Sequence, residues 1–146
     1  MDSKEFKNVF SEIAKENGFE KSFGGWFIES SESIIVLDLQ KSNFGDYYEL
    51  NIKIYVQGIF GNSYSKNKDL VKKDTGDIFR RHPPEYKDVF NFDASMVDDK
   101  RKQRLEELFK EFIKPFTDKA LSRQGLKELE AQEKIFLLPA VKAELV

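Results

Sequence analysis

The chain has 146 residues, 40% hydrophobic and 34% charged, with a formal net charge of -2. That length and mixture suit one soluble domain, residues 1–146, with a real core; they exclude a disordered chain and give no electrostatic argument for a nucleic-acid or membrane partner. Lack of cysteine excludes disulfides, thiolate metal sites and cysteine nucleophiles, and with no apolar leader and no run of about 18 apolar residues a cytoplasmic protein is expected.

Phe6, Val9, Phe10, Ile13 and Ala14 recur at helical spacing from about Lys4 to Asn17. Asp2 or Ser3 is placed to cap this helix, and Gly18 to close it. Phe19 to Phe23 reads as a short extended piece, broken by Gly24-Gly25, and Trp26-Phe27-Ile28 as a second strand. The dominant signal is Ser33 to Phe60, two strand-like runs joined at Asn43 to Asp46, where Asn, Gly and Asp supply turn chemistry. In the second run Tyr48, Leu50, Ile52, Ile54 and Val56 share a buried face. Tyr47, Glu49, Asn51, Lys53, Tyr55 and Gln57 take the wetter face. The first run is apolar on both faces, with Ile35, Leu37 and Leu39 opposite Ile34 and Val36, so it lies deep in the sheet.

Gly58 to Gly76 is irregular and basic, and reads as an exposed loop. Its glycines do not lead into a helix as a phosphate loop requires. Asp77 to Arg81 suggests a further strand, ended by His82-Pro83-Pro84. Leu105, Leu108, Phe109, Phe112, Ile113 and Phe116 form a helical stripe, with Asp98 and Asp99 at its start and Pro115 set to end or kink it. Ser122 caps a short helix holding Leu126 and Leu129, and Pro139 suits the first turn of a last one. Ile135 to Leu138 is apolar throughout, so its periodicity does not separate strand from helix. The sum is an α+β fold: an antiparallel meander of four to six strands with an N-terminal helix and C-terminal helices packed on it. Its core should include Phe10, Ile13, Leu37, Leu39, Leu50, Ile52, Ile54, Leu108, Phe109 and Phe112.

Chemistry is sparse. His82, the single histidine, adjoins Arg80 and Arg81, with Glu85 nearby; a general base with flanking anion-binding arginines is one reading, an ordinary turn histidine the other. One histidine without cysteine builds none of the usual zinc sites. Asp38, inside an apolar run, is either a perturbed carboxyl or a partner of Lys53 or Arg80. Gln40 and Ser42 end a buried strand near Tyr48, and such polar and aromatic groups form either a recognition patch or core tyrosines with satisfied hydroxyls. No catalytic residue, metal ligand or cofactor is assigned.

The order Asn17-Gly18-Phe19-Glu20-Lys21, Trp26-Phe27, Val36 to Ser42 with Leu39-Gln40-Lys41-Ser42, Phe44-Gly45 and Leu50 to Tyr55 resembles the bacterial domain-of-unknown-function family 4304. Asp77 to Arg81 and the later helices fit the same pattern, so the resemblance spans nearly the whole chain. It implies an α+β fold and no established activity; some members look like immunity proteins, a role inferred from genomic company. The first functional expectation is therefore a non-catalytic protein-binding module, with a toxin-like protein as one possible partner. The second is a small-ligand binder or enzyme whose pocket joins Arg80, Arg81 and His82 to Gln40, Ser42 and Tyr48. The third is a structural homo-oligomer joined through Ile135 to Leu138. The oligomeric state stays open.

Overall fold

The computed structural model describes residues 1–146. Five strands form one antiparallel sheet in chain order: β1 (Glu20–Ser22), β2 (Gly25–Glu29), β3 (Ser33–Lys41), β4 (Tyr48–Val56) and β5 (Ile78–Arg81). The β3–β4 ladder runs from Ser33 opposite Val56 to Lys41 opposite Tyr48. It sets Ile35, Leu37 and Leu39 against Ile54, Ile52 and Leu50, as the alternation of the two runs requires. The turn closes with Ser42 N–H donating to Tyr47 O at 3.0 Å, and the Ser42 hydroxyl accepts from Phe44 N–H at 3.0 Å. β4 stops at Val56, short of the expected Phe60, because the chain turns at Gly58 with φ 85°.

All the long helices cover one face. α1 (Ser3–Glu16) is capped by Asp2, whose carboxylate accepts from Glu5 N–H, and buries Phe6, Phe10, Ile13 and Ala14. Residues 98–120 form one continuous rod: α3 (Asp98–Leu108), a π-turn (Phe109–Ile113) and α4 (Lys114–Ala120). Pro115 does not end it. The π-turn lets Lys114 N–H reach Phe109 O just before the proline, which removes the conflict between a proline ring and a regular helix. α5 (Arg123–Ala131) is capped by the Ser122 hydroxyl, and α6 (Pro139–Glu144) begins on its proline. Between them Ile135 to Leu138 is neither strand nor helix; Ile135 and Leu137 turn inward while Phe136 and Leu138 face out. Thirty-one buried residues form the resulting core. Nine of the ten expected core residues are buried, and Phe112 is partly covered beside Phe116.

The second face corrects two sequence expectations. The Gly58 to Gly76 segment is largely exposed but is not a free loop. It folds back over the sheet through α2 (Lys68–Lys72), capped by Asn67, and lays Leu70 and Val71 on Phe27, Ile34, Val36 and Tyr55. Tyr55 Oη donates to Leu70 O at 2.7 Å, and the Gln57 side chain bonds the backbone of Tyr64 in both directions. Gly25 permits the close approach, since a Cβ there would stand 3.0 Å from both Val71 methyls. The supposedly wetter side of β4 is buried along its middle: Tyr55 lies under the arm at 1% exposed, and Asn51 and Lys53 beyond it are 4% and 5% exposed.

Candidate functional site

The folded-back arm covers only half of that face. On the other half, alternation along three adjacent strands presents Asp38 and Gln40 from β3, Asn51 and Lys53 from β4, and Phe79 and Arg81 from β5. Together with the end of the arm they line a cleft of about 600 Å³.

Its floor is a cross-strand polar ladder centred on Asn51. The Asn51 amide donates to Gln40 Oε1 at 2.9 Å and to Asp38 Oδ2 at 3.3 Å, and its oxygen accepts from Arg81 Nε at 3.2 Å. Lys53 Nζ donates to Val71 O at 2.6 Å and lies 3.8 Å from Asp38 Oδ2. Burial pushes the Lys53 ammonium below its ordinary range, and the Asp38 carboxylate partly opposes the shift. Asp38 therefore pairs with Lys53 rather than Arg80. The terminal nitrogens of Arg81 bond no protein group, and its nearest carboxylate, Glu49, stands 3.9 Å from Nε. Five cationic side chains (Lys41, Lys53, Lys72, Lys73, Arg81) surround the cleft against two carboxylates, Asp38 and Asp74. The cleft is thus suited to accept negative charge.

The six binding candidates do not share a pocket. Gln40 and Arg81 line the cleft, and with Ser42, in the hairpin turn, they also line a depression of about 230 Å³ beside it. Tyr48 points into the helix-covered core, stacked on Phe6. Arg80 lies opposite Ile52 on that helix-covered side, donating to Lys134 O at 2.7 Å with its guanidinium 4.5 Å from the Phe112 ring centre. His82 is stacked on Phe90 at 4.9 Å, with Nδ1 against Pro83 O and Nε2 3.5 Å from Glu49. Adjacent residues of one strand face opposite ways, so Arg80 and Arg81 leave β5 on opposite faces, yet both border, with His82, a depression of about 630 Å³ at the β5 edge. Asn51, Lys53 and Phe79 were missed as site residues; the shared strand parity of Asp38 and Gln40 with Asn51 and Lys53 was the signal that could have found them.

Arg81 also joins the cleft to its surroundings. It borders both the depression of about 630 Å³, between β5 and the Glu130 to Phe136 segment, and the smaller one of about 230 Å³ beside Phe44 and Tyr47. Phe44, Phe79 and Phe136 stand exposed around this belt. Since Leu50 and His82 bond across the ladder, the backbone groups of Phe79 and Arg81 point to the free sheet edge.

The family model described as Domain of unknown function (DUF4304) matches residues 10–119, a segment that includes every residue of the cleft. No curated protein and no solved structure matches the chain.

Proposed function

We infer, from a chain that belongs to the DUF4304 family over 110 of its 146 residues, that this protein is a cytoplasmic, single-domain, non-catalytic module that binds another protein through the open half of its second sheet face. The observation that carries the reading is the position of Arg81. It is common to three adjacent depressions, has unpaired terminal nitrogens, and is surrounded by exposed Phe44, Phe79 and Phe136. Arginine and aromatic side chains at the centre of a patch are the composition of interface hot spots. The lysine excess selects a partner with an acidic surface. A bacterial toxin neutralised in this way would present carboxylates to the cleft. His82, the one imidazole, stacks on Phe90 and lines the depression beside β5, not the cleft floored by Asn51.

The test is affinity capture from bacterial cytosol with the wild-type chain and with Arg81→Glu, followed by mass spectrometry. One stoichiometric partner held by the wild type and lost by the variant, at unchanged melting temperature, supports the reading. A partner retained by R81E, or none with either chain, overturns it.

A further inference from the structure

We propose that the cleft floor is a preformed subsite for a side-chain carboxylate of the partner, gripped by the free end of Arg81 above the Lys53–Asp38 pair. The inference rests on the binding-module reading and specifies what that partner must offer.

Three observations carry it. Asp38, Asn51 and Lys53 are at least nine-tenths buried yet line a cleft open to solvent. Buried polar groups normally spend their bonds within the protein. Here Asn51 spends its own on fixing its neighbours, and in doing so fixes Nε of Arg81 while leaving the terminal nitrogens unbonded. A guanidinium held by Nε presents its planar fork already oriented, so a ligand does not bear the cost of ordering it. The third observation is charge. Lys72 and Lys73 on the rim have no ion-pair partner. They attract an anion, whereas Asp38 and Asp74 in the same cleft, and Glu49 beside Arg81, penalise a second negative charge on it. The fork can hold a carboxylate or a phosphate, but the nearby carboxylates favour a monoanion over a phosphate dianion.

The probe is glutamate blocked at both backbone ends, N-acetyl-glutamate amide, with N-acetyl-glutamine amide as the neutral isostere and inorganic phosphate as the competing anion. Side-chain NMR of Arg81 Nε–H and the Asn51 amide reports occupancy in the full chain. Saturable shifts with the glutamate probe, absent with the glutamine probe, support the subsite. Arg81→Gln should weaken the probe about tenfold or more, as loss of a charge-assisted contact requires. Arg81→Lys should also weaken it, because the fork is lost while the charge stays. Equal responses to the two blocked amino acids, tighter phosphate binding, or unchanged affinity in R81Q overturn the proposal. If the probe does not bind but R81E still loses its protein partner, the subsite falls and the binding-module reading stands. If the probe binds and R81E keeps the partner, the cleft takes a carboxylate that is not the partner's, and both the partner assignment and the binding-module reading fall.

Discussion

Lys53→Met gives the sharpest test of how the cleft floor is held. Methionine keeps most of the side-chain volume but removes the ammonium, and with it the 2.6 Å bond to Val71 O and the charge facing Asp38 at 3.8 Å. A hydrogen bond from a charged group contributes about 1.5–3 kcal/mol. Breaking a buried ion pair from one side costs about 3–5 kcal/mol when the remaining charge is sealed in. Asp38 is 9% exposed and keeps the Asn51 amide, so water in the cleft trims that figure. The expected loss is about 3 kcal/mol, or about 6–12 °C in melting temperature for a chain of this size. Neutralising the stranded carboxylate should recover part of it, leaving Asp38→Asn/Lys53→Met about 1 kcal/mol below wild type. Urea unfolding followed by the fluorescence of Trp26, the single tryptophan and 2% exposed, measures each chain. The wild type carries a further signature. Because burial lowers the Lys53 pKa, the unfolded chain binds more protons between the folded value and 10.5, so stability from this group rises with pH across that window. K53M should lack the rise. A single variant within about 1 kcal/mol of wild type, or a double variant less stable than the single, refutes the assignment of Lys53 as the cation that compensates Asp38.

The remaining expectations concern the frame around the cleft. Arg80→Gln removes the bond to Lys134 O and the contact with Phe112, so the Lys134 amide, which donates to Leu129 O at 2.9 Å, should lose exchange protection at a cost of about 1–2 kcal/mol; unchanged exchange there would show that Arg80 does not tether the C-terminal segment. Burial raises the Asp77 carboxyl above 3.8, against the opposing bonds from Val56 N–H and Tyr64 Oη. The folded chain then holds the extra proton between 3.8 and its raised value, and this group's contribution to stability grows as pH falls through that window; Asp77→Asn should remove that component from unfolding curves across mildly acidic pH, and an unaltered profile would place the titration elsewhere. Gly125→Ala should cost about 3 kcal/mol or more in melting experiments, because its Cβ would fall 1.8 Å from Lys119 O at the corner joining α4 to α5; a variant as stable as wild type would show that this corner yields.

Much of the frame could be read from spacing. The alternation of Ile35, Leu37, Leu39 and Leu50, Ile52, Ile54 determines the central register, and Asp2, Ser122 and Pro139 begin the helices where their chemistry indicates. The arm over the second face was not readable. Its anchor is two apolar residues, Leu70 and Val71, on a five-residue helix within a basic stretch, and so short a pattern has no measurable period. Missing it made Lys53 and Tyr55 look solvated. The six binding candidates are spread over separate depressions and the core for a different reason. Arg80, Arg81 and His82 are neighbours in sequence, and sequence proximity suggests a cluster, but a strand sends Arg80 to the helices and Arg81 to the cleft. Nor does sequence announce that a π-turn will carry the helix past Pro115.

The division of the second face is written along the strands themselves. On that side β3 passes from Ile34 and Val36 to Asp38 and Gln40, and antiparallel β4 answers with Tyr55, then Lys53, Asn51 and Glu49. At the apolar end the arm can seal the surface, since Leu70 and Val71 meet Phe27, Ile34, Val36 and Tyr55 and no charge is trapped. One step further the same cover would enclose Asp38, Lys53 and Arg81. Their ionised groups would lose water without gaining enough partners, a penalty of several kcal/mol per ion. The arm therefore stops where Val71 O meets Lys53 Nζ, satisfying one donor and leaving the rest of the ladder facing solvent. The residues that line the cleft are also those that keep it open, and an acidic partner group can pair with Arg81 without displacing any part of the core.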